Sequence, residues 1–287
     1  MSVQTKLAFP KAGHRNGGDR RNRLQEIAQS TMDAIENGTV TIANFNFSNH
    51  NTRYYAPDYL LSTWSTSDPP RNPTAKSEVS ILEISTLDGA RLLFNTISSR
   101  STSFGRIAIL NFASATRPGG GFLNGAQAQE DAQRFYQLHT HDRNRGFYHH
   151  AMVYTPSVVI LKDDAGNWAS PFEVDVLTSA AVNAGDVRKK IGDKSELAEI
   201  EEPIESVMKE RMARILFLFE QQGAKNIVLG SFGTGVFQND IKVVAKIWAE
   251  LLTVKGARYR HSFDRVVFAI PREGYFYHFR AIIRAAD

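Results

Sequence analysis

The sequence predicts an α/β fold in which a mixed, largely parallel sheet is covered by helices on both faces. Two observations carry that prediction. Short runs of apolar and β-branched residues alternate with segments of helical period in each half of the chain, the pattern of β-α-β units. Between the halves, two strand-like stretches flank Asp163-Asp164-Ala165-Gly166-Asn167, a hairpin signal that adds antiparallel members.

Over residues 21–37, Leu24, Ile27, Ala28, Thr31, Met32 and Ile35 recur at helical spacing, and Asn37-Gly38 supplies a stop. The segment to residue 74 is rich in Asn, Ser, Thr, Tyr and Pro and has little periodicity, so it reads as loop with short strands. Residues 78–84 alternate like a strand, 88–95 form a short helix, and 107–112 read as a fully buried strand. A weakly helical stretch follows residue 130, and 153–161 and 172–181 are strands. Residues 204–222 form a strong helix ending at Gly223, followed by a strand at 226–229, a helix at 243–252 and a strand at 265–270.

Apolar residues make up 42% and charged residues 22% of the 287, an ordinary balance for a chain that buries a sizeable core. No linker or composition break divides it. The reading is one domain over 20–287, preceded by a flexible basic arm over 1–19. Lys11, His14, Arg15, Arg20, Arg21 and Arg23 crowd the amino end, where they attract a polyanion or simply form a solvated tail. Without interleaved aromatics, sequence-specific nucleic-acid reading is not expected. Apolar runs such as Ile215-Leu216-Phe217-Leu218-Phe219 are too short for a membrane span. Cysteine is absent, so disulfides and thiolate metal sites are excluded, and the expected location is intracellular, cytoplasmic or nuclear.

Two glycine loops stand where strands end. Arg117-Pro118-Gly119-Gly120-Gly121-Phe122 follows the strand at 107–112, and three glycines in a row leave no Cβ to hold a ligand away from the backbone. Gly230-Ser231-Phe232-Gly233-Thr234-Gly235-Val236-Phe237 sits between a strand and a helix, a setting in which bare amides cradle phosphate oxygens. It lacks the third glycine of a dinucleotide fingerprint and the Lys-Ser/Thr of a nucleoside-triphosphate loop, so it reads either as an anion cradle or as a plain chain reversal. Strands of one sheet bring both loops to a common rim. Phe122 and Phe237 beside them suit stacking on a base or ribose, and equally suit the core.

Glu130 and Asp131 follow the first loop. On a helix, neighbours point about 100° apart, so one carboxyl serves as an acid while the other orients the ligand, unless both are a solvated helix start. His139, His141, His149 and His150 follow no established metal spacing and read as surface or packing residues. Ser231 lies outside a nucleophile elbow.

The run from Asn111 to Asp131, with Thr178-Ser179-Ala180-Ala181-Val182-Asn183-Ala184-Gly185 and Leu229 to Asp240, closely resembles the signature of microbial-type poly(ADP-ribose) glycohydrolases. The resemblance extends over most of the chain. It implies a macrodomain-like, three-layer α/β/α fold and a monomer that needs no metal or cofactor. It also implies exo-type hydrolysis of the ribose–ribose bond of poly(ADP-ribose), with ADP-ribose as the bound unit and ADP-ribosylated proteins as further partners. By the resemblance, Gly119, Gly120, Gly121 and Phe122 border the diphosphate and distal ribose. Ser114 lies near that ribose and Gln129 belongs to the catalytic motif. Ser231, Gly233, Thr234, Gly235 and Val236 wrap the diphosphate, Phe237 positions the ribose, and Glu130 holds its hydroxyls. The catalytic position carries Asp131 where the family has Glu. The alternative is therefore a catalytically weak or inactive ADP-ribose-binding module, and a third reading is removal of ADP-ribose from a protein side chain or a nucleic-acid base.

Overall fold

The computed structural model describes residues 17–37, 52–57, 59–68, 76–99, 105–112, 146–191 and 197–286. In chain order the elements are α1 (Gly17–Glu36), β1 (Arg53–Tyr55), a short 3-10 helix (Leu60–Thr63), β2 (Glu78–Leu82), α2 (Thr86–Ser98) and β3 (Arg106–Phe112). They continue with β4 (Met152–Lys162), β5 (Trp168–Ser179), α3 (Ala184–Lys189), α4 (Leu197–Gln221), β6 (Ala224–Gly230), α5 (Ile241–Leu252), β7 (Arg265–Ala269) and α6 (Glu273–Ala285).

The seven strands form one sheet in the order β1-β4-β5-β3-β6-β7-β2. The five strands β5, β3, β6, β7 and β2 are mutually parallel, and β4 and β1 continue the sheet antiparallel. This is the mixed, largely parallel sheet that the alternation predicts. The hairpin is where the turn residues place it: Gly166 takes a φ of +84° and its N–H donates to Asp163 O at 3.0 Å. The unit β2-α2-β3 is wider than its sequence suggests, because β6 and β7 lie between its two strands.

Side chains alternate across the sheet, as the period of two requires. Ala108 and Leu110 of β3, Ile227 and Leu229 of β6, and Val266 and Phe268 of β7 face the larger core, under α4, α5 and α6. Ile107, Ile109, Val228 and Val267 face the opposite way, toward Ala90 and Leu93 of α2. Buried strands of this kind read as near-continuous apolar runs, which is why β3 and β6 are visible in the sequence.

Helix ends depart from the periodic pattern for identifiable reasons. Ser85 caps α2, its hydroxyl accepting from Asp88 N at 3.0 Å, so that helix begins earlier than the spacing predicts. Helix α4 runs back past Pro203 to Leu197. A proline there leaves the carbonyl four residues earlier, at Glu199, without a helical donor, and Glu199 is exposed, so water can supply one. The periodicity marks nothing beyond residue 270, yet Phe276, Phe279 and Ile283 form the buried stripe of α6.

Inside the sheet, Asp175 of β5 holds a register shift of β4. Its carboxylate accepts from Tyr154 Oη at 2.6 Å, from Ser157 N at 2.9 Å and from Arg106 Nη1 at 3.3 Å. Ser157 has a φ of +55°, at the irregularity between Thr155 and Val158. Burial, then the Asp175 charge, pushes the Tyr154 phenol well above its ordinary range and keeps it a donor. Asp175→Ala leaves the Tyr154 hydroxyl and the Ser157 amide unsatisfied, and the expected loss is about 3 kcal/mol in urea unfolding.

Candidate functional site

Because β5, β3, β6, β7 and β2 are parallel, their carboxyl ends, Ser179, Phe112, Gly230, Ala269 and Leu82, share one edge of the sheet. The antiparallel β4 begins on that edge, with Val153 opposite Thr178. Open α/β sheets hold their ligands there. The loop after β6 leaves from it, and β3, the strand that precedes the first glycine run in the sequence, is the direct neighbour of β6.

The loop after β6 is built from the sheet outward. Trp248 Nε1 of α5 donates to Gly230 O at 3.1 Å, and Phe232 is fully buried against Phe112, with ring centroids 5.6 Å apart. A Cβ at Gly230 would lie 2.8 Å from Phe112 Cζ and 2.9 Å from Ala269 O, so only glycine lets the loop leave so close to β3 and β7. Gly233 has a φ of +76°, and a Cβ there would run into Ala181 and lie 2.6 Å from Asn239 Nδ2. Asn239, buried beneath the loop, ties it inward by donating to Val182 O at 2.7 Å and Gly233 O at 3.0 Å. The Thr234 side chain is turned inward as well, its hydroxyl donating to Ser231 O at 3.0 Å.

The outer part of the loop is different. Gly235 and Val236 are exposed, Val236 to 90%. A Cβ at Gly235 would meet nothing within 4 Å, so packing within the described residues does not account for the glycine. The N–H groups of Gly235, Val236 and Phe237 make no hydrogen bond among the described residues, whereas the flanking amides of Thr234 and Gln238 close turns onto Ser231 O and Gly235 O. Three successive free amides are a concavity for anionic oxygens.

Phe237 is half-buried and braced from α3. Gly185 N donates to Phe237 O at 3.0 Å and Arg188 Nη1 to Gln238 O at 2.8 Å, while Gln238 takes a φ of +55°. Arg188 is held in turn by both Glu201 oxygens, at 2.6 and 2.8 Å. That hydrogen-bonded pairing raises the Arg188 pKa and lowers that of Glu201. On the far side, Tyr275 of α6 reaches the loop through its hydroxyl, 3.4 Å from Thr234 O.

The segment before β4 completes the described rim. The Tyr148 ring lies 6.0 Å from that of Phe237. Fully buried Arg211 of α4 donates to Ala180 O at 3.0 Å, Phe147 O at 2.8 Å and Tyr148 O at 3.1 Å. Burial, then the charge of Arg214, pulls its pKa down to about 9, which leaves it charged at neutral pH. Burial first, then Arg211 and Arg214, pushes His150 down to about 3 and keeps it neutral.

Of the residues singled out in the sequence, Ser231, Gly233, Thr234, Gly235, Val236 and Phe237 lie together on this rim. Ser114, Gly119, Gly120, Gly121, Phe122, Gln129, Glu130 and Asp131, with His139 and His141, lie outside the described residues. Tyr148, Arg188, Arg211, Asn239 and Tyr275 belong to the site's architecture without having been singled out. Asn239 and Gly185 fall within the segments that carry the family resemblance, and Tyr148 lies beside the histidines.

The family described as microbial-type PARG, catalytic domain, matches residues 21–163. Among solved structures, the poly(ADP-ribose) glycohydrolase of Thermomonospora curvata matches with a TM-score of 0.74 at 30% identity, over 93% of this chain and 100% of that one. The same glycohydrolase bound to the inhibitor ADP-HPD matches at 0.71 and 30%, over 92% and 99%. The poly(ADP-ribose) glycohydrolase of Deinococcus radiodurans in complex with ADP-ribose matches at 0.69 and 28%, over 83% and 96%. No curated protein matches the chain.

Two outcomes test this architecture. Gly233→Ala forces a left-handed backbone on a residue with a Cβ and crowds Ala181, and it is expected to cost about 3 kcal/mol in chemical unfolding. His150 is protonated in the unfolded chain below about pH 6.5 but resists protonation when folded. Stability is therefore fully present above that pH and falls as the pH drops from about 6.5 toward 3; His150→Gln is expected to flatten that part of the melting-temperature profile.

Proposed function

Because this chain belongs to the microbial-type PARG catalytic-domain family, we propose that it hydrolyses poly(ADP-ribose) in exo fashion, releasing ADP-ribose by cleavage of the terminal ribose–ribose O-glycosidic bond. The observation that carries the proposal is the row of free amides at Gly235, Val236 and Phe237, on the sheet edge where β3 and β6 end side by side. A diphosphate matches that row in charge and in hydrogen-bonding demand. The exposed glycine at 235, which has no packing reason, suits a ligand approaching the backbone closely.

In this reading residues 20–287 act as one catalytic domain, with residues 1–19 as a basic arm. Gly233, Thr234, Gly235 and Val236 wrap the diphosphate next to Ser231, with the free amides of Gly235 and Val236 as the donors. Phe237 sets the ribose, and Gly119, Gly120, Gly121 and Phe122 border the diphosphate and that ribose. Ser114 follows Phe112, the end of β3, by two residues, which favours a place near the ribose. Glu130, next to Gln129, holds the ribose hydroxyls. Asp131 gives its proton to the leaving ribose oxygen as the anomeric C–O bond breaks. It then takes a proton from the water that forms the new bond at that carbon, which restores the acid. Such acid work needs a carboxyl that holds its proton near neutral pH.

Aspartate at position 131 sets the efficiency. Its carboxyl is one methylene shorter than glutamate, and a misplacement of about 1 Å costs on the order of 100-fold in rate. That residue also favours a second reading, a module that binds ADP-ribose without cleaving the polymer.

Incubation with poly(ADP-ribose), following ADP-ribose by chromatography, tests the proposal. Asp131→Asn is expected to lower release at least about 100-fold with ADP-ribose binding retained. Release unchanged in that variant rejects Asp131 as the acid, and binding without release in the parent leaves the binding module. If Asp131→Glu alone creates release, the chemistry has decayed. Gly235→Ala, which meets no atom of the described residues, is expected to leave the melting temperature unchanged while weakening ADP-ribose binding by about tenfold in calorimetry.

A further inference from the structure

We propose that Tyr148 forms a second aromatic wall of the ADP-ribose site beside Phe237, and that its phenol hydroxyl hydrogen-bonds a ribose hydroxyl of the ligand. The inference rests on the function proposed above and adds to it a ligand-contacting residue outside both glycine loops.

Placement comes first. Tyr148 precedes β4, whose first residues lie on the ligand edge of the sheet because β4 runs antiparallel to β5. The Tyr148 and Phe237 rings are 6.0 Å apart between centroids and inclined by 43°, the spacing of an aromatic pair in contact.

The backbone supplies the second argument. Tyr148 has a φ of +55°, in the left-handed region that a bulky side chain ordinarily avoids. Such a conformation persists only where surrounding structure imposes it. Here the carbonyls of Phe147 and Tyr148 are both taken by Arg211, which is fully buried and bonds carbonyl oxygens rather than a carboxylate among the described residues. A guanidinium buried without a counter-charge is a costly device for fixing a surface segment.

Third, the same short stretch holds both rings. Ala180 O accepts from Arg211, Asn183 N donates to Gly146 O at 2.8 Å, and Gly185 N donates to Phe237 O at 3.0 Å. Residues 180–185 thus fix the backbone on either side of the aromatic pair, so the two rings are set relative to one another. Finally, Tyr148 is half-buried, and its hydroxyl has no hydrogen-bond partner among the described residues, in contrast to the inward hydroxyls of Tyr154 and Tyr259, which donate to Asp175 and to Ala213 O. Packing against Phe237 would be served as well by phenylalanine. A free phenol next to a residue that positions ribose is suited to a sugar hydroxyl.

Tyr148→Phe separates the two roles, since it keeps the ring and removes only the hydroxyl. Calorimetry with ADP-ribose and steady-state release from poly(ADP-ribose) are read together with the melting temperature. The expected result for Tyr148→Phe is an ADP-ribose Kd raised about 3- to 10-fold, the size of one neutral hydrogen bond, with KM raised alongside and the melting temperature unchanged. Tyr148→Ala is expected to weaken binding further; should it fail to fold, Tyr148→Phe decides alone. A Tyr148→Phe protein that matches the parent in Kd and KM overturns the inference, as does one whose affinity falls only with its melting temperature. A parent that binds no ADP-ribose overturns both this inference and the proposed function, whereas a parent that binds beside an unaffected variant overturns this inference alone.

Discussion

The parallel alignment of β5, β3 and β6 is the constraint on which the rest depends. Three adjacent strands running the same way must release their chains on one edge, and β5 and β6 return to the opposite edge through α4 and α5. That is why the segment after β5 and the loop after β6 meet at Asn239, which bonds Val182 O on one side and Gly233 O on the other. The crowding also explains the glycines. At 230 and 233 the neighbours are so close that no Cβ fits, and at 235, where there is room, the absence of a side chain exposes the backbone instead. One loop therefore uses glycine for two opposite purposes, close packing below and an open polar surface above.

Holding that surface in place draws on charged groups in the helical layer. Arg188, paired with Glu201, fixes the carbonyl of Gln238, and Arg211 fixes those of Phe147, Tyr148 and Ala180. The two arginines differ in kind. Arg188 is partly exposed and has a counter-charge, so its burial penalty is small. Arg211 is wholly buried and offsets its desolvation through carbonyl dipoles, which suits rigidity more than stability. Burial, with the positive charge of Arg211 and Arg214, also keeps His150 neutral near neutral pH.

Much of this was legible in the sequence. Strands β3 and β6 show as apolar runs, the hairpin as Asp163 to Asn167, and the loop after β6 by its glycines, because each rests on local pattern or local conformation. The missing parts rest on tertiary context. Arg211 lies on a helix whose charged residues look like a solvated face, and nothing local says that this one points inward. Tyr148 stands beside histidines and has no periodicity to mark it. Thr234 looks like a ligand hydroxyl, yet its side chain turns to Ser231 O, and only its backbone can face outward.

The supports of the rim bear on what a change at position 131 can do. The loop after β6 is fastened by α3, α5, α6 and the end of β5, through Gly185, Arg188, Trp248, Tyr275 and Val182. These attachments are complete among the described residues and do not require the acidic pair. Exchanging a glutamate for an aspartate there would move a carboxyl by about one bond length without altering the free amides of residues 235–237, since positioning costs fall on the reacting group. Affinity and turnover are thus separable in this architecture. On the proposed function, chemistry could be lost while recognition is retained, because the loop after β6 takes its rigidity from the sheet edge and the helices behind it.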